Sequence, residues 1–418
     1  MARIPDSLVF GSSYRESIAG VDLGLDCLAE NLITTLRYAQ VHTAYGREVI
    51  PNGITLKNVF DVYDSLPVID ADDVAGNLDY YKSDAFSAIN SYVTTTGGTG
   101  RNPSKVSLSN RCYGIEWAHI LNMWGSAGYQ RSRFMKLTLR GKSLKPGKLL
   151  QYNPIYNEVV ADFFQVGQHN FEEFFEQLKS YPVRCIHGYP SLVREFLHYL
   201  KNRKLTYSVD LIFLGSEGAS IELKEELKSF FCAQVVSWYG QTEKVILAAD
   251  FKGDGHFVNY ASYGFPSIES ADATGFGELL GTTFVNRALP LIKYRTGDFA
   301  RINETAGHLV IKDIQGRWGK DFVYLNAEKK IPTTSINLHG SLQERILFYQ
   351  LVQREYGKVQ VRLLPESIAD EGVADQLRAE LLIKLQGFKI DVHCVTAEKI
   401  DRSKRGKMIM LVQHIKEV

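Results

Sequence analysis

Ser237-Trp238-Tyr239-Gly240-Gln241-Thr242-Glu243 is the stretch that decides how this chain is interpreted. It brings together an aromatic ring that can stack on a base, a glycine that lets the backbone approach a ligand, hydroxyl and amide groups, and a carboxylate. The apolar residues just before it, 235–238, predict a strand that ends directly at Tyr239. This combination favours a site for a nucleotide and its metal at the end of that strand.

Length and charge limit the class of protein. At 418 residues with 45% hydrophobic residues, the chain can bury the cores of two or three domains. The 48 Lys and Arg residues balance 47 Asp and Glu residues, so no overall field draws the chain to nucleic acid or anionic lipid. No stretch reaches the roughly 18 apolar residues of a membrane span, and the first residues lack the apolar core of a signal peptide. We therefore expect a cytoplasmic protein with small-molecule or protein partners, no nucleic acid and no membrane insertion.

The cysteines are few and scattered, without a Cys-x-x-Cys pair: Cys27, Cys112, Cys185, Cys232 and Cys394. An odd, widely spaced set argues against a disulfide framework and against a structural zinc site. We expect each of them to be a small buried hydrophobic residue in a reducing compartment.

Hydrophobic spacing predicts an α/β protein. A helical entry is expected within residues 22–50, where Leu25, Leu28, Leu32 and Leu36 have helical spacing. Residues 92–250 alternate short apolar runs with longer amphipathic segments, including predicted helices at 171–181 and 192–205 and a buried strand at 209–214. Residues 257–302 are rich in Gly, Thr, Val and aromatic residues, which suits antiparallel strands.

The predicted domain boundary lies at Gly316, because a glycine there absorbs backbone rotation between two packed bodies. We expect a large N-terminal domain, residues 1–316, with α/β sheets and a β-rich subdomain. A small α+β C-terminal domain, residues 317–418, is expected to follow it.

Three further segments have compositions that suit nucleotide chemistry. Residues 92–93 are predicted to end a strand, and residues 94–103 follow as a loop of hydroxyls and glycines whose backbone N–H groups can approach phosphate oxygens. It is not a Walker loop, because no Gly-Lys-Ser/Thr follows the glycines, and standing alone such a loop is more often a plain turn. The other two are Tyr-Arg-Thr-Gly-Asp at 294–298 and Arg-Gly-Lys at 405–407. Standing alone, they are explained by a β-turn and by a solvated basic tail.

Taken in order along the chain, these four segments resemble the adenylate-forming superfamily. The resemblance implies that Tyr239 stacks on adenine, that Thr242 contacts the phosphate region, and that Glu243 ligates Mg²⁺. A single carboxylate with substrate phosphates is a normal magnesium site. The resemblance implies further ATP or AMP contacts in four groups. The phosphate loop supplies Thr95, Thr96, Gly97, Gly98, Thr99 and Gly100, and the turn that borders the adenine supplies Ser216, Glu217 and Gly218. Gly240 and Gln241 are neighbours of Tyr239 in its motif, and Asp298 and Arg317 bind the ribose.

The resemblance also implies the acid-binding and catalytic residues. Lys407 takes the place of the lysine that bridges the substrate carboxylate and the α-phosphate, and with Thr242 it forms the implied catalytic set. His187 and Tyr189 match a segment beside the acid substrate. A strand followed by a proline in the first turn of a helix explains that segment equally well. The 216–218 turn likewise fits a helix start, and both interpretations can hold together.

Within the superfamily, length and residues 290–294 resemble the phenylacetate-CoA ligase-like branch, closest to the CapK-type proteins of capsular polysaccharide biosynthesis. Two positions depart from the family pattern. The pivot after Arg317 is Gly319, and residues 324–330 lack the glycines of the hairpin that lines the pantetheine tunnel in acyl-CoA ligases. Coenzyme A is therefore a less secure acceptor than membership of the branch alone implies.

The implied activity is activation of a carboxylic acid by ATP and Mg²⁺ to an acyl-adenylate, followed by acyl transfer to a thiol or amine. Polysaccharide or secondary-metabolite biosynthesis is the implied setting. Two alternatives stay open at this point, an acyl-CoA ligase that uses coenzyme A and a non-catalytic nucleotide-binding partner protein. The sequence allows a homodimer.

Overall fold

The computed structural model describes residues 4–95, 105–140, 142, 144–163, 165–167, 169–316, 322–327, 329–336, 342, 345–367, 370, 372–402 and 408–415. The chain divides into two compact units. The first comprises Met1–Phe134, Leu211–Glu225 and Gln234–Gly316, and the second comprises Met135–Asp210, Glu226–Ala233 and Arg317–Val418. The predicted division into residues 1–316 and 317–418 stays a prediction.

The helices and strands alternate irregularly along the chain. The α-helices are α1 (Asp6–Val9), α2 (Gly11–Ser17), α3 (Leu28–His42), α4 (Ala44–Val49), α5 (Val59–Ser65), α6 (Ala71–Gly76), α7 (Leu78–Tyr81), α8 (Cys112–Ser126), α9 (Phe171–Lys179), α10 (Pro190–Asn202), α11 (Ile221–Phe231) and α12 (Val373–Lys384). Short 3₁₀ helices span Ile18–Gly20, Leu25–Cys27, Thr333–Ile336 and Ala397–Lys399.

The strands are β1 (Ser91–Thr95), β2 (Lys105–Ser109), β3 (Met135–Leu139), β4 (Leu150–Asn153), β5 (Glu158–Ala161), β6 (Val183–Gly188), β7 (Leu211–Gly215), β8 (Gln234–Gly240), β9 (Leu247–Asp250), β10 (Phe257–Asn259), β11 (Gly264–Glu269), β12 (Gly277–Thr283), β13 (Tyr294–Thr305), β14 (His308–Gln315), β15 (Phe322–Tyr324), β16 (Lys330–Pro332), β17 (Ile346–Glu355), β18 (Lys358–Pro365), β19 (Lys389–Cys394) and β20 (Leu411–Gln413).

The first unit contains a mixed sheet with strand order β11-β12-β13-β14-β10-β9-β8-β7. Its neighbours are antiparallel except β7 and β8, which are parallel and flank α11 in the sequence. Since parallel strands end at the same edge of a sheet, the residues after Gly215 and after Gly240 meet there. The N-terminal helices supply much of this unit's core, where Leu32, Leu36 and Tyr63 are buried in one cluster with Val245.

Among the described residues, the second unit contains two four-stranded arrangements and the antiparallel two-stranded pair β15-β16. In the first sheet, with order β6-β3-β5-β4, β3 lies parallel to both β5 and β6, and β4 is antiparallel to β5. The second sheet has the order β19-β18-β17-β20, with a central antiparallel pair and parallel outer strands. Helix α12 buries Leu377 and Leu381 in one cluster with Leu351 and Val361, which forms the core of the C-terminal segment.

The fold prediction is confirmed, with differences at element ends. Helix α10 begins at Pro190, two residues before the predicted start, because proline fits the first turn of a helix. Strand β8 continues through Tyr239 to Gly240, where it pairs with Ala248 and Leu247 of β9. Strand β1 likewise extends two residues beyond the predicted end, to Thr95.

All five cysteines are free, but they do not share one environment. Cys112 and Cys185 are buried as expected, and Cys27 is half-buried. The expectation of burial is wrong for Cys232 and Cys394, which are exposed. Cys232 follows the end of α11, and Cys394 ends the outer strand β19, so neither faces a core. Among the described residues, no helix has the length and apolarity needed to cross a membrane.

Candidate nucleotide site

A hydrogen bond joins the predicted adenine platform to the predicted ribose acceptor. Tyr239 Oη, at the end of β8, donates to Asp298 Oδ2 of β13 at 2.5 Å. Gln241 Nε2 donates back to Tyr239 Oη at 2.5 Å. Burial, and then the neighbouring Asp298 carboxylate, raise the pKa of Tyr239 well above its usual value, so the phenol keeps its proton and donates. The structure therefore brings three predicted site residues together, Tyr239 on β8, Gln241 directly after it and Asp298 on β13.

A bulge in β13 presents Asp298. Tyr294 and Arg295 pair with Gly281 and Leu280 of β12, and the next aligned pair is Phe299 with Glu278, so three residues of β13 face one of β12. Gly297 lies inside this bulge at φ +77°, a left-handed conformation that favours glycine. The Thr-Gly-Asp sequence thus forms a bulge, which re-aims the carboxylate.

The backbone beyond β14 also lies beside this carboxylate. A Cβ placed on Gly316 would lie 3.6 Å from Asp298 Oδ1. Gly316 immediately precedes Arg317, the second residue that the sequence assigns to the ribose. Arg317 itself lies outside the described residues.

A turn after β8 holds Thr242 and Glu243. Tyr294 Oη donates to Glu243 Oε1 at 3.3 Å, which links the carboxylate to the strand that carries Asp298. Among the described residues, no group of three or more His, Cys, Asp or Glu side chains could hold a metal ion. A magnesium site at Glu243 would accordingly combine its carboxylate oxygens with phosphate and water oxygens, and the ion accepts such a ligand set.

Sequence reasoning missed an ion pair next to Glu243. Lys244 Nζ lies 2.7 Å from both Oε1 and Oε2 of Glu116 on α8. Burial lowers the pKa of Lys244, but the charge and hydrogen bonds of Glu116 outweigh it and raise that pKa overall. Lys244 has φ +63°, so the turn holds a non-glycine residue in the left-handed region. Lys244 follows the motif directly, but Glu116 is 128 residues away and carries no sequence signal.

The predicted adenine turn follows β7 directly. Ser216 adopts φ +69° immediately after Gly215, and residues 217–220 lead into α11. Gly215 pairs with Trp238 of β8, and a Cβ on Gly215 would lie only 2.3 Å from the Trp238 ring. The indole therefore requires glycine at the end of β7, which fixes where the turn at Ser216, Glu217 and Gly218 begins.

The predicted phosphate loop lies mostly outside the described residues. Thr95 closes β1 and pairs with Lys105 of β2, so residues 96–104 connect two antiparallel neighbours. Those residues include Thr96, Gly97, Gly98, Thr99 and Gly100, which are not described. Lys407 also lies outside the described residues, and its role stays a prediction.

His187 and Tyr189 belong to the second unit. His187 on β6 is buried beside Thr138 of β3, and burial, followed by the charge of Arg140, lowers the pKa of His187 well below its usual value. Its imidazole is therefore neutral. Tyr189 precedes α10, and the Arg140 guanidinium lies 5.2 Å from the centre of the Tyr189 ring. Their contact with an acid substrate stays a prediction.

Comparison with protein families gives a match over part of the chain. Residues 156–273 match the family model described as AMP-binding enzyme, a segment that contains Ser216, Tyr239 and Glu243. No curated protein matches the chain by sequence.

Several solved structures have a similar fold. A 2-hydroxyisobutyryl-CoA ligase in the postadenylation state, in complex with R3-HIB-AMP, has a TM-score of 0.61 at 15% identity, covering 92% of this chain and 88% of that chain. An open conformation of that ligase with 2-HIB-AMP and CoA has a TM-score of 0.52 at 16% identity, covering 92% and 90%. The GH3.15 acyl acid amido synthetase has a TM-score of 0.59 at 11% identity, covering 94% and 92%.

At these identities the likeness shows the fold. The chain thus contains a segment that matches the AMP-binding enzyme family, and its fold is similar to that of a CoA ligase and an acyl acid amido synthetase. The predicted superfamily is supported over residues 156–273, where the AMP-binding enzyme model matches, and the similar structures agree with the predicted fold class.

Proposed function

We propose that this protein activates a carboxylic acid with ATP and then transfers the acyl group to a thiol or amine. A carboxylate oxygen of the acid attacks the α-phosphorus, the bond from that phosphorus to the β-bridging oxygen breaks, and pyrophosphate leaves. In the second step the acceptor attacks the acyl carbon and AMP leaves with the electron pair of the acyl–oxygen bond. Because the protein supplies no nucleophile, catalysis depends on positioning and electrostatic stabilisation.

The observation that carries the proposal is the Tyr239–Asp298 hydrogen bond at 2.5 Å. It joins an aromatic ring and an acceptor carboxylate, the two groups that an adenosine needs for its base and its ribose hydroxyls. Glu243 follows in the next turn, near enough to be bound by Tyr294 of the Asp298 strand. The AMP-binding enzyme match covers Tyr239 and Glu243.

Magnesium is part of the proposal. Glu243 offers hard carboxylate oxygens beside the predicted phosphate region, which suits this ion. When bound, Mg²⁺ would neutralise charge on the phosphates. Thr242 would contact the same phosphate region, and Lys407 would stabilise the charge between the acid and the α-phosphate.

The finer assignment is the phenylacetate-CoA ligase-like branch, closest to CapK-type proteins, with a role in polysaccharide biosynthesis. Residues 290–294 support it. A structure with a similar fold contains CoA, and another is an acyl acid amido synthetase, so a thiol and an amine are both represented among the acceptors of similar folds. The lack of glycine in residues 324–330 favours an acceptor other than coenzyme A. We further propose that the protein is cytoplasmic. A homodimer is the oligomeric state to be tested in solution.

The test is ATP–pyrophosphate exchange across aryl, fatty, amino and sugar acids. We expect at least one acid class to support exchange, Lys407→Ala to abolish it, and Lys404→Ala in the same basic segment to leave it largely intact. Glu243→Gln should raise the magnesium concentration needed for half-maximal exchange. An unchanged exchange rate in Lys407→Ala would contradict the proposal that this protein forms an acyl-adenylate. Repeating the assay with coenzyme A and with free amines then separates the acceptors.

A further inference from the structure

Helix α8 forms an ion pair with the turn that carries Glu243. Lys244 Nζ lies 2.7 Å from both carboxylate oxygens of Glu116, and the two side chains are only 12% and 25% exposed. All three residues belong to the first unit. Because both oxygens of Glu116 contact one ammonium group, the pair holds Lys244 against α8, and Glu243 directly precedes Lys244 in the sequence.

The backbone of Lys244 adopts an unfavourable conformation. Its φ of +63° lies in the left-handed region, which lysine rarely adopts because its Cβ crowds the following carbonyl oxygen. Lys244 N donates to Gln241 O at 3.3 Å, which closes a turn that contains Glu243. The next side chain, Val245, is fully buried. Strain of this kind persists where surrounding contacts determine the conformation, and the ion pair with Glu116 supplies such a contact.

The first turn of α8 is itself fixed by polar contacts. Cys112, the first residue of the helix, is buried, and its Sγ donates to Asn286 Oδ1 at 3.6 Å. Asn286 is buried as well, and it donates to Ser107 O at 3.0 Å and accepts from Ser109 N at 3.2 Å. Both serines lie on β2. Helix α8 is thus tied to a neighbouring strand one turn before it presents Glu116.

A second contact acts on the Glu243 carboxylate directly. Tyr294 Oη donates to Glu243 Oε1 at 3.3 Å, and Tyr294 is buried. Tyr294 therefore orients the side chain, whereas Glu116 holds the backbone from which that side chain starts. Mg²⁺ requires near-ideal octahedral geometry, so its binding is sensitive to the position of a carboxylate ligand.

We propose that Glu116 and Lys244 are positioning residues for the magnesium ligand, and that their ion pair holds the left-handed turn in the conformation in which Glu243 binds the metal of Mg·ATP. This inference rests on the proposed function. A mostly buried ion pair contributes little net stability compared with a well-packed apolar pair, but it fixes an orientation. Loss of a group that orients a metal ligand lowers metal affinity by roughly tenfold to a hundredfold.

The measurement is isothermal titration of the full chain with ATP, once with excess Mg²⁺ and once with EDTA. The ratio of the Kd in EDTA to the Kd in Mg²⁺ reports what the metal contributes to binding. No turnover is involved, because the acid is left out. Glu243→Gln removes the ligand and defines the ratio that remains without it.

We expect Glu116→Gln to lower this ratio by about tenfold, or to the Glu243→Gln value where that is nearer, with the Kd in EDTA unchanged. The matched control is Glu16→Gln, which removes an exposed ion pair with Arg111, the residue before α8, and should leave the ratio unchanged. A wild-type ratio in Glu116→Gln would overturn the inference.

Lys244→Asn distinguishes positioning from a simple effect of charge. Asparagine adopts the left-handed conformation more readily than lysine, so this variant can keep the turn while it loses the ion pair. A simple charge effect has opposite signs in the two variants, because Glu116→Gln leaves an excess positive charge near the metal and Lys244→Asn removes one. Positioning predicts a lower ratio in both. A ratio at or above the wild-type value in Lys244→Asn would contradict the inference.

Two further variants address folding and independence. Urea unfolding shows whether each variant is folded at the titration temperature. Glu116→Asp retains the charge and withdraws the carboxylate by one methylene group, so it disturbs folding less than Glu116→Gln and should give an intermediate ratio. Glu116→Gln combined with Glu243→Gln should have the ratio of Glu243→Gln alone, because both changes act on one metal contact. A further loss in the double variant would show that Glu116 acts elsewhere and would refute the positioning role.

The two proposals fail in different ways. If wild type supports no pyrophosphate exchange with any acid and binds ATP equally with Mg²⁺ and with EDTA, the proposed function and the positioning role both fail. If wild type exchanges and Mg²⁺ strengthens ATP binding, but Glu116→Gln keeps the wild-type ratio, the adenylation proposal stands and only the positioning role fails.

Discussion

Replacing Tyr239 with phenylalanine separates two contributions of one side chain. The phenylalanine ring keeps the surface that can stack on adenine, and it loses only the hydroxyl that donates to Asp298 Oδ2 at 2.5 Å and accepts from Gln241. The change therefore tests whether the hydroxyl holds the carboxylate in place for the ribose.

The expected loss follows from the type of hydrogen bond. A hydrogen bond to a charged group contributes about 1.5–3 kcal/mol. Since Tyr239 and Asp298 are only partly buried, we expect the lower end of this range. About 1.5 kcal/mol corresponds to roughly a tenfold weaker Kd for ATP.

The assay is isothermal titration with ATP and with 2′-deoxy-ATP, because the second nucleotide lacks one of the hydroxyls assigned to Asp298. Wild type should prefer ATP, and Tyr239→Phe should bind ATP about tenfold more weakly with a smaller preference between the nucleotides. Tyr239→Ala, which also loses the ring, should weaken both nucleotides further. If Tyr239→Phe retains wild-type affinity and preference, the hydroxyl does not position the ribose acceptor and the reasoning fails.

Two further predictions concern stability. Gly215→Ala should lower the free energy of unfolding, measured in urea, by about 1–3 kcal/mol, because the added Cβ would lie 2.3 Å from the Trp238 ring. The control is Gly218→Ala, whose Cβ would have no atom within 4 Å, and it should change the free energy of unfolding by less than about 0.5 kcal/mol. Equal losses of stability in the two variants would contradict the close approach of the Trp238 ring to Gly215. Burial lowers the pKa of His119 from 6.5 to about 4. Between these two pH values, His119 binds a proton in the unfolded chain but not in the folded chain. His119 therefore contributes stability above pH 6.5 that is lost as pH falls toward 4, up to about 3 kcal/mol. Urea unfolding from pH 7 to 4.5 should show a smaller decline in His119→Gln, and parallel curves would contradict the assignment.

Local sequence was sufficient for the elements whose causes are local. An amphipathic pattern predicted α10, although its start at Pro190 lies two residues before the predicted one, and an apolar run predicted β7. The end of β8 was missed by two residues, because its continuation through Tyr239 depends on pairing with β9. A partner strand overrides the local turn tendency of Gly240, and sequence alone does not reveal that partner.

The site shows the same limit. The motif around Tyr239 and the Gly-Asp pair at 297–298 were predicted separately, and the structure adds their direct hydrogen bond. The ion pair of Glu116 was missed, because its partner Lys244 lies 128 residues away in the sequence. Charged residues on amphipathic helices ordinarily face solvent, so nothing in their own segments distinguishes them.

The Tyr239–Asp298 bond has a consequence for how a nucleotide would be recognised. If the ring stacks on the base and the carboxylate accepts the ribose hydroxyls, one side chain connects the two contacts, and a rotation of Tyr239 disturbs both. Changes to the base and to the ribose of the nucleotide should then be non-additive in binding free energy, because residues within one hydrogen-bonded network are coupled. Gly297 sets this geometry, because its left-handed conformation forms the bulge that carries Asp298. Under the proposed function, a change in that bulge would alter the contacts to the base and to the ribose together.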